Sequence, residues 1–210
     1  MVSILQTVDL CCERDDRVLV SGLNLDIEQG LIYQVEGPNG SGKTSLLRVL
    51  CGLSSRYTGS LTWRGQSVQQ ARSQFHAELL YLGHDSGVKA ALSPRENLIW
   101  HAALKGLNGR SADEAIMAAL EKVGLYGYED SPCFALSAGQ QRRVGLARLF
   151  LGCSRLWILD EPFTAIDKKG VAELEQWIEA YVQGGGTVIL TTHHELTISQ
   201  PVCRITLGDQ

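Results

Sequence analysis

No uninterrupted apolar run approaches the roughly 20 residues that a helix needs to cross a bilayer anywhere in this chain of 210 residues. The opening Met1-Val2-Ser3-Ile4-Leu5-Gln6 lacks the basic region and long apolar core of a secretory signal. Positive charge is not in excess either. Nineteen lysines and arginines stand against 23 aspartates and glutamates, a net charge of −4, which argues against a nucleic-acid partner because phosphate backbones call for a basic surface. The 6 cysteines (Cys11, Cys12, Cys51, Cys133, Cys153 and Cys203) form no C-x-x-C pair and no zinc spacing, so they read as reduced, partly buried thiols. Internal repeats and low-complexity tracts are missing as well. With 44% hydrophobic residues, the chain can bury a sizeable core, and it is expected to be soluble and cytosolic.

What the chain does have is a glycine-rich phosphate loop. Residues 37–44 read Gly37-Pro38-Asn39-Gly40-Ser41-Gly42-Lys43-Thr44, the Walker A spacing G-x-x-x-x-G-K-[ST]. Gly37, Gly40 and Gly42 omit the Cβ atoms that would obstruct the backbone, so consecutive N–H groups can turn inward on an anion. Lys43 brings a mobile charge to the β- and γ-phosphates of a nucleotide, and the Thr44 hydroxyl suits Mg²⁺. A strand-like 31–36 precedes the loop and a helical 45–50 follows it. A helix N-terminus is thereby aimed at the same phosphates. An ordinary glycine-rich turn would not need that context.

Strand patterns occupy 3–10, 18–27, 31–36, 59–63 and 79–82, with Gly22 and Gly30 as punctuation. From about 87 to 152 the period becomes helical. Ser93-Pro94-Arg95-Glu96 reads as a capping box with proline at the first helical position. Ser111-Ala112-Asp113-Glu114 reads as another, with its helix ending near Gly124, and Ser137-Ala138-Gly139-Gln140 opens a helix over 141–151. Strands return at 156–160, 187–191 and 202–207, with a helix over 171–183. This order predicts one α/β domain over 1–210. Its core lobe takes about 1–86 and 153–210, and an inserted helical lobe takes about 87–152.

Two further motifs carry chemistry. Leu156-Trp157-Ile158-Leu159-Asp160-Glu161 is an apolar strand ending in two carboxylates, the Walker B pattern. The carboxyl end of a parallel strand is where α/β proteins place ligands. Asp160 is expected to hold Mg²⁺ together with Thr44, and Glu161, pointing elsewhere, to polarise an attacking water. Leu136-Ser137-Ala138-Gly139-Gln140 is a small-residue loop at a helix N-terminus. Ser137 can donate to an anion there, and Gly139 allows close backbone approach.

Walker A, Leu-Ser-Ala-Gly-Gln, Walker B and then Thr192-His193 is an order that resembles the nucleotide-binding subunits of ABC transporters. The resemblance spans nearly the whole chain. It implies a P-loop NTPase core with an N-terminal antiparallel β-subdomain and an inserted α-helical subdomain. It also implies ATP and Mg²⁺ as cofactors, and ATP hydrolysis with translocase activity. In that family the signature loop, here Ser137, Gly139 and Gln140, meets the γ-phosphate held by the partner's Walker A loop. With one of each motif, two copies must pair head to tail. Thr164-Ala165-Ile166-Asp167 matches the family's D-loop. His193 matches the switch histidine that contacts the γ-phosphate; His194 competes for that role, and the spacing from the strand favours His193.

Two positions depart from the family pattern. Counting back from Ser93-Pro94-Arg95-Glu96-Asn97-Leu98, the glutamine that usually touches Mg²⁺ is replaced by His84, followed by Asp85. A neutral imidazole can still accept from metal-bound water or ligate the metal. Near Arg14, where an aromatic usually stacks on adenine, the chain reads Cys12-Glu13-Arg14-Asp15. Arg14 either stacks its guanidinium on the base or is a solvated charge.

Within the family, Cys12–Asp15, Tyr81-Leu82-Gly83-His84, 136–143, 157–165 and Thr191-Thr192-His193 together resemble the ATP-binding subunits of bacterial cytochrome c maturation, the haem-export branch. Family members of that branch imply a homodimer on the cytoplasmic face of the inner membrane, attached indirectly through integral membrane subunits similar to CcmB and CcmC. An ABC transporter for another substrate is the first rival. A soluble ABC ATPase acting on DNA or ribosomes is the second, though it would call for paired cassettes or a coiled-coil insertion and a basic surface.

Overall fold

The computed structural model describes residues 2–14 and 17–208, and the side chains of Arg14 and Arg17 stand outside the described set. Two compact units emerge. The first comprises residues up to His84, Ser154–Phe163 and Ala172 onward; the second comprises Asp85–Cys153 with Thr164–Val171.

The first unit holds two sheets. β1 (Ser3–Arg14) and β2 (Arg17–Glu28) form an antiparallel hairpin, joined by β4 (Tyr57–Trp63) and the short β5 (Gln66–Ser67) in the order β2-β1-β4-β5. β1 continues past the expected end at residue 10 because a bulge lets it bend. Its register shifts between Thr7 and Leu10, where Asp9 takes a positive φ of 50°. Alternation then buries Cys12 and leaves Cys11 half-exposed, as two faces of one strand require.

The second sheet has five strands, all parallel, in the order β6-β7-β8-β3-β9. These are β3 (Ile32–Glu36), β6 (Leu79–Leu82), β7 (Leu156–Asp160), β8 (Thr187–Thr191) and β9 (Val202–Thr206). Every residue of β7 and β8 is buried, which accounts for their continuous apolar runs: a parallel sheet covered on both faces leaves no solvated side to alternate with. Because all five strands run the same way, the residues that follow β3, β6, β7 and β8 gather at one edge.

α1 (Lys43–Leu50) is packed between the two sheets. Its Leu46, Leu47, Val49 and Leu50 are buried in one cluster with Leu5, Leu10 and Val20 from the antiparallel sheet and Val35, Ile158 and Ile189 from the parallel one. Each such side chain contributes about 2 kcal/mol by leaving water. α2 (Arg72–Glu78) precedes β6. Sequence pattern gave no sign of α2, since Phe75 is its one buried residue and so short a helix shows no apolar period. α6 (Lys168–Gln183) crosses from β7 to β8.

In the second unit α3 (Pro94–Leu104) packs against α4 (Gly109–Lys122), and α5 (Ala138–Leu146) continues as a tighter turn over Ala147–Phe150. Both atoms of the Ser93 capping box are engaged: Glu96 N–H donates to Ser93 Oγ at 3.2 Å, and Ser93 N–H donates to the Glu96 carboxylate at 2.8 Å. The expected box at Ser111 does not form. α4 begins at Gly109 after Asn108, and Ser111 lies inside its first turn with its hydroxyl donating back to Asn108 O at 2.8 Å. Residues 164–171, expected with the core lobe, pack with the helical unit. There Arg143 approaches Asp167 at 3.6 Å, and Gly139 faces the Ala165 carbonyl.

Ser93→Ala is expected to lower stability by about 1 kcal/mol in urea unfolding, the usual cost of a lost N-cap. Ser111→Ala should stay within about 0.5 kcal/mol of the parent, as an exposed side chain without a cap does.

Candidate nucleotide site

The phosphate loop leaves β3 at Glu36 and enters α1 at Lys43. Two of its glycines are required sterically. At Gly37 (φ 151°) a Cβ would stand 2.7 Å from Ser41 Oγ and 2.8 Å from the Leu207 carbonyl oxygen. At Gly42 (φ 93°) it would stand 2.8 Å from Leu19 Cβ. The loop therefore lies flat against β2 and the segment after β9. Ser41 N–H closes a turn onto Pro38 O at 3.2 Å, while Asn39 and Gly40 are exposed at the tip. Lys43 Nζ curls over the loop and donates to the carbonyls of Gly37 at 2.6 Å and Pro38 at 3.1 Å.

Gly42 caps α1 with no side-chain acceptor, so the N–H groups of the first turn carry the helix's positive end toward the loop. Thr44 is exposed on that turn. Beside it a cleft of about 430 Å³ is lined by Cys12, Glu13, Thr44, Arg48 and Arg56, among others. Its position next to the phosphate loop suits the nucleoside half of a ligand. Whether Arg14 reaches it falls outside the described residues.

The acidic part of the site forms at the ends of β7 and β8. Asp160, 1% exposed, accepts the Thr191 hydroxyl on Oδ1 at 2.8 Å. Its Oδ2 is buried and meets no hydrogen-bond partner among the described residues. Glu161 turns out of the strand with φ 49°, a left-handed conformation that costs about 1 kcal/mol for a side chain of this kind. Its N–H donates to the same Thr191 Oγ1 at 2.9 Å. One hydroxyl thus holds the Asp160 side chain and the Glu161 backbone together. Burial pushes the Tyr81 phenol to about 12 and the Cys51 thiol upward, with the Asp160 charge a lesser contributor to each.

His193 follows β8, and its Nε2 lies 3.6 Å from Glu161 Oε1. His194 points elsewhere: its Nε2 is 3.2 Å from Glu175 Oε1, and its ring sits 5.0 Å from that of Phe163. The two histidines thus face different carboxylates. His84 follows β6 through Gly83 and is exposed at the same sheet edge.

In the second unit Ser137 and Gln140 close a full capping box on α5, with Gln140 N–H donating to Ser137 Oγ at 3.2 Å and Ser137 N–H donating to Gln140 Oε1 at 2.9 Å. Gly139 lies in the first turn. Arg143, on the same helix, donates to Val123 O at 2.9 Å and pairs with Asp167. Asp167 in turn accepts Gly170 N–H at 2.9 Å at the start of α6.

Thr191 is the residue that motif reading passed over. The available signal was a hydroxyl at the carboxyl end of the otherwise apolar Val188-Ile189-Leu190 run, where a buried polar group needs a partner.

Comparison with known proteins gives a consistent result. The family model described as ABC transporter matches residues 20–164. The chain is 55% identical over 206 residues to the cytochrome c biogenesis ATP-binding export protein CcmA of Hahella chejuensis, covering 98% of this chain and 96% of the relative. It is 49% identical over 207 residues to the protein of the same name from Vibrio vulnificus strain YJ016, covering 98% and 100%. Among solved structures, an ABC transporter ATP-binding protein from Pyrococcus furiosus superposes with a TM-score of 0.82 at 27% identity, over 98% of both chains. The dimeric ATP-binding cassette MJ0796 with ADP and Pi shares the fold at a TM-score of 0.80 and 20% identity, over 91% and 88%.

Thr191→Val keeps the shape of the side chain but strands Asp160 Oδ1 and the Glu161 N–H. It is expected to cost about 1–3 kcal/mol in urea unfolding, the penalty for unsatisfied buried groups. A stability equal to the parent's would show that the hydroxyl bridge is not structural.

Proposed function

This chain belongs to the ABC transporter family of ATP-binding subunits, and from that premise we propose that it hydrolyses ATP for the export complex of cytochrome c biogenesis. The relatives named for that process at 47–55% identity support the assignment. So does a site in which a buried aspartate, an adjacent glutamate and a histidine share one sheet edge with the phosphate loop. No described helix is long and apolar enough to cross a membrane. The complex would therefore supply the membrane-spanning subunits, of the CcmB and CcmC kind, and this chain would sit on their cytoplasmic face.

In this reading the N–H groups of Gly37 and 39–42 and the α1 N-terminus cradle the β- and γ-phosphates. Lys43 exchanges its carbonyl partners for phosphate oxygens. Glu161 orients and deprotonates the attacking water, and His193, 3.6 Å from Glu161, steadies that water against the γ-phosphate. The orphaned Asp160 Oδ2 and the exposed Thr44 hydroxyl form a hard oxygen donor set that fits Mg²⁺, with His84 available for metal-bound water. Mg²⁺, when bound, neutralises charge that develops on the phosphate oxygens.

The observation that carries the assignment is Thr191 Oγ1 held against the Asp160 carboxylate at 2.8 Å and the Glu161 backbone N–H at 2.9 Å, which pins the buried aspartate and the backbone of its neighbour at the end of β7 while His193 stands 3.6 Å from the Glu161 carboxylate. Glu161→Gln is expected to leave ATP binding intact in a fluorescent-nucleotide titration and to cut hydrolysis about 100-fold or more, as loss of a general base does. Turnover at the parent rate would remove Glu161 from the reaction.

The single Walker A loop and single Ser137-Gly139-Gln140 signature of the chain support a homodimer that pairs them head to tail. Mixing tests this directly. Ser137→Arg and Lys43→Ala chains should each be inactive alone, yet mixed dimers should regain partial ATPase activity through one intact composite site. No recovery on mixing, with dimers present by light scattering, would rule out the composite arrangement.

A further inference from the structure

The switch histidine has little to hold it. His193 is 66% exposed at its side chain and approaches Glu161 only at 3.6 Å, longer than a hydrogen bond. Its position must come from the backbone around it. That backbone is tied down at several points, most of them on one face of α6.

Glu175 on α6 is 7% exposed, an unusual place for a carboxylate unless its oxygens are satisfied. They are. Thr197 donates its N–H to Oε1 at 2.7 Å and its hydroxyl to Oε2 at 2.6 Å, and His194 Nε2 lies 3.2 Å from Oε1. One helical turn further, Glu179 Oε1 takes the N–H of Ser199 at 2.6 Å and its hydroxyl at 2.5 Å. On the near side, Thr192 Oγ1 accepts the His194 N–H at 2.9 Å and folds the loop back on itself. The His194 ring also faces Phe163 with centroids 5.0 Å apart, and Phe163 follows Glu161 by two residues. His194 therefore touches the segment carrying the glutamate on one side and the α6 carboxylate on the other.

We propose that Glu175, acting through His194, is a positioning residue for ATP hydrolysis: it sets the loop that carries His193 in register with the Phe163 segment that carries Glu161. This rests on the assignment of Glu161 and His193 to catalysis made above. The partners of Glu175 are Thr197 and His194. Its effect is on the relative placement of two catalytic groups, where misplacement by about 1 Å can cost a large factor in rate. The phosphate loop lies between β3 and α1, and among the described residues no side-chain hydrogen bond joins it to Glu175, His194 or Thr197, so nucleotide affinity should be spared.

The test is steady-state ATP hydrolysis by the full chain, with kcat and KM read separately and folding followed by thermal melting. Glu175→Ala is expected to lower kcat about 10-fold while KM for ATP moves less than about 2-fold, the pattern of a group that acts on the transition state alone. Glu175→Gln keeps a carbonyl oxygen for the Thr197 N–H and should recover most of the lost rate. Should Glu175→Ala fail to fold, Thr197→Val decides, because Thr197 is exposed and its loss removes one tie without opening the core. A fall in kcat at unchanged KM and melting temperature supports the proposal there. A parent kcat in either folded variant overturns it, as does a parallel loss of kcat, KM and melting temperature that Gln does not rescue. Glu161→Gln, run alongside, separates the two assignments. If that variant is inactive while Glu175→Ala is normal, only the positioning role fails; if Glu161→Gln turns over normally, the catalytic assignment fails first.

Discussion

The burial of α1 between two sheets is the constraint on which the site depends. A loop that gathers phosphate charge through backbone N–H groups has no long side chains to brace it, so its shape must be imposed from behind. Leu46, Leu47, Val49 and Leu50 do this by entering one cluster with residues of both the antiparallel and the parallel sheet. Close contacts at Gly37 and Gly42, where a Cβ would strike Leu207 and Leu19, press the loop into the remaining space. The antiparallel sheet acts here as the second wall that keeps the phosphate-binding helix from shifting.

A parallel sheet then decides what faces that loop. Because β3, β6, β7 and β8 run in the same direction, their carboxyl ends deliver Gly37, His84, Asp160 and His193 to a common edge. The chemistry there is divided by a single hydroxyl. Thr191 satisfies one oxygen of a buried aspartate and the N–H of a strained glutamate. The aspartate stays inside with one oxygen that meets no hydrogen-bond partner among the described residues, and the glutamate carboxylate lies 3.6 Å from His193. Strain at Glu161 and burial at Asp160 are both unfavourable taken singly, and they persist because the packed ends of β7 and β8 leave no alternative. The loop after β8 is held from its far side by Glu175 and Glu179, so this edge of the sheet is braced by α6 as well as by the strands.

Much of this was legible beforehand, and the failures share a cause. The phosphate loop, the Walker B strand, the Ser93 and Ser137 caps and the order of strands and helices all rest on residues close in sequence, where spacing alone dictates geometry. Ser111 misled because a serine three residues before a glutamate is compatible both with a cap and with the inside of a first turn. The helix started at Gly109 instead. α2 was invisible because a single buried phenylalanine cannot set a period. The extension of β1 past residue 10 depended on a bulge at Asp9, and bulges answer to the partner strand rather than to local composition.

Sequence by itself determined that a glycine-rich phosphate-loop motif would join a strand to a helix, and that two carboxylates would end an apolar strand nearby. Each of these is a property of neighbours along the chain. Only the tertiary structure decided that Thr191 joins the Asp160 carboxylate to the Glu161 backbone N–H, that His193 rather than His194 turns toward Glu161, and that a buried glutamate on α6 anchors the following loop. Those relations join residues some 20 to 30 positions apart, as Thr197 with Glu175 and Thr191 with Asp160. Contacts of that kind exist only once adjacent strands and their crossover helix have packed, because hydrogen bonds act over about 3 Å and no local pattern records which distant partner will come that close.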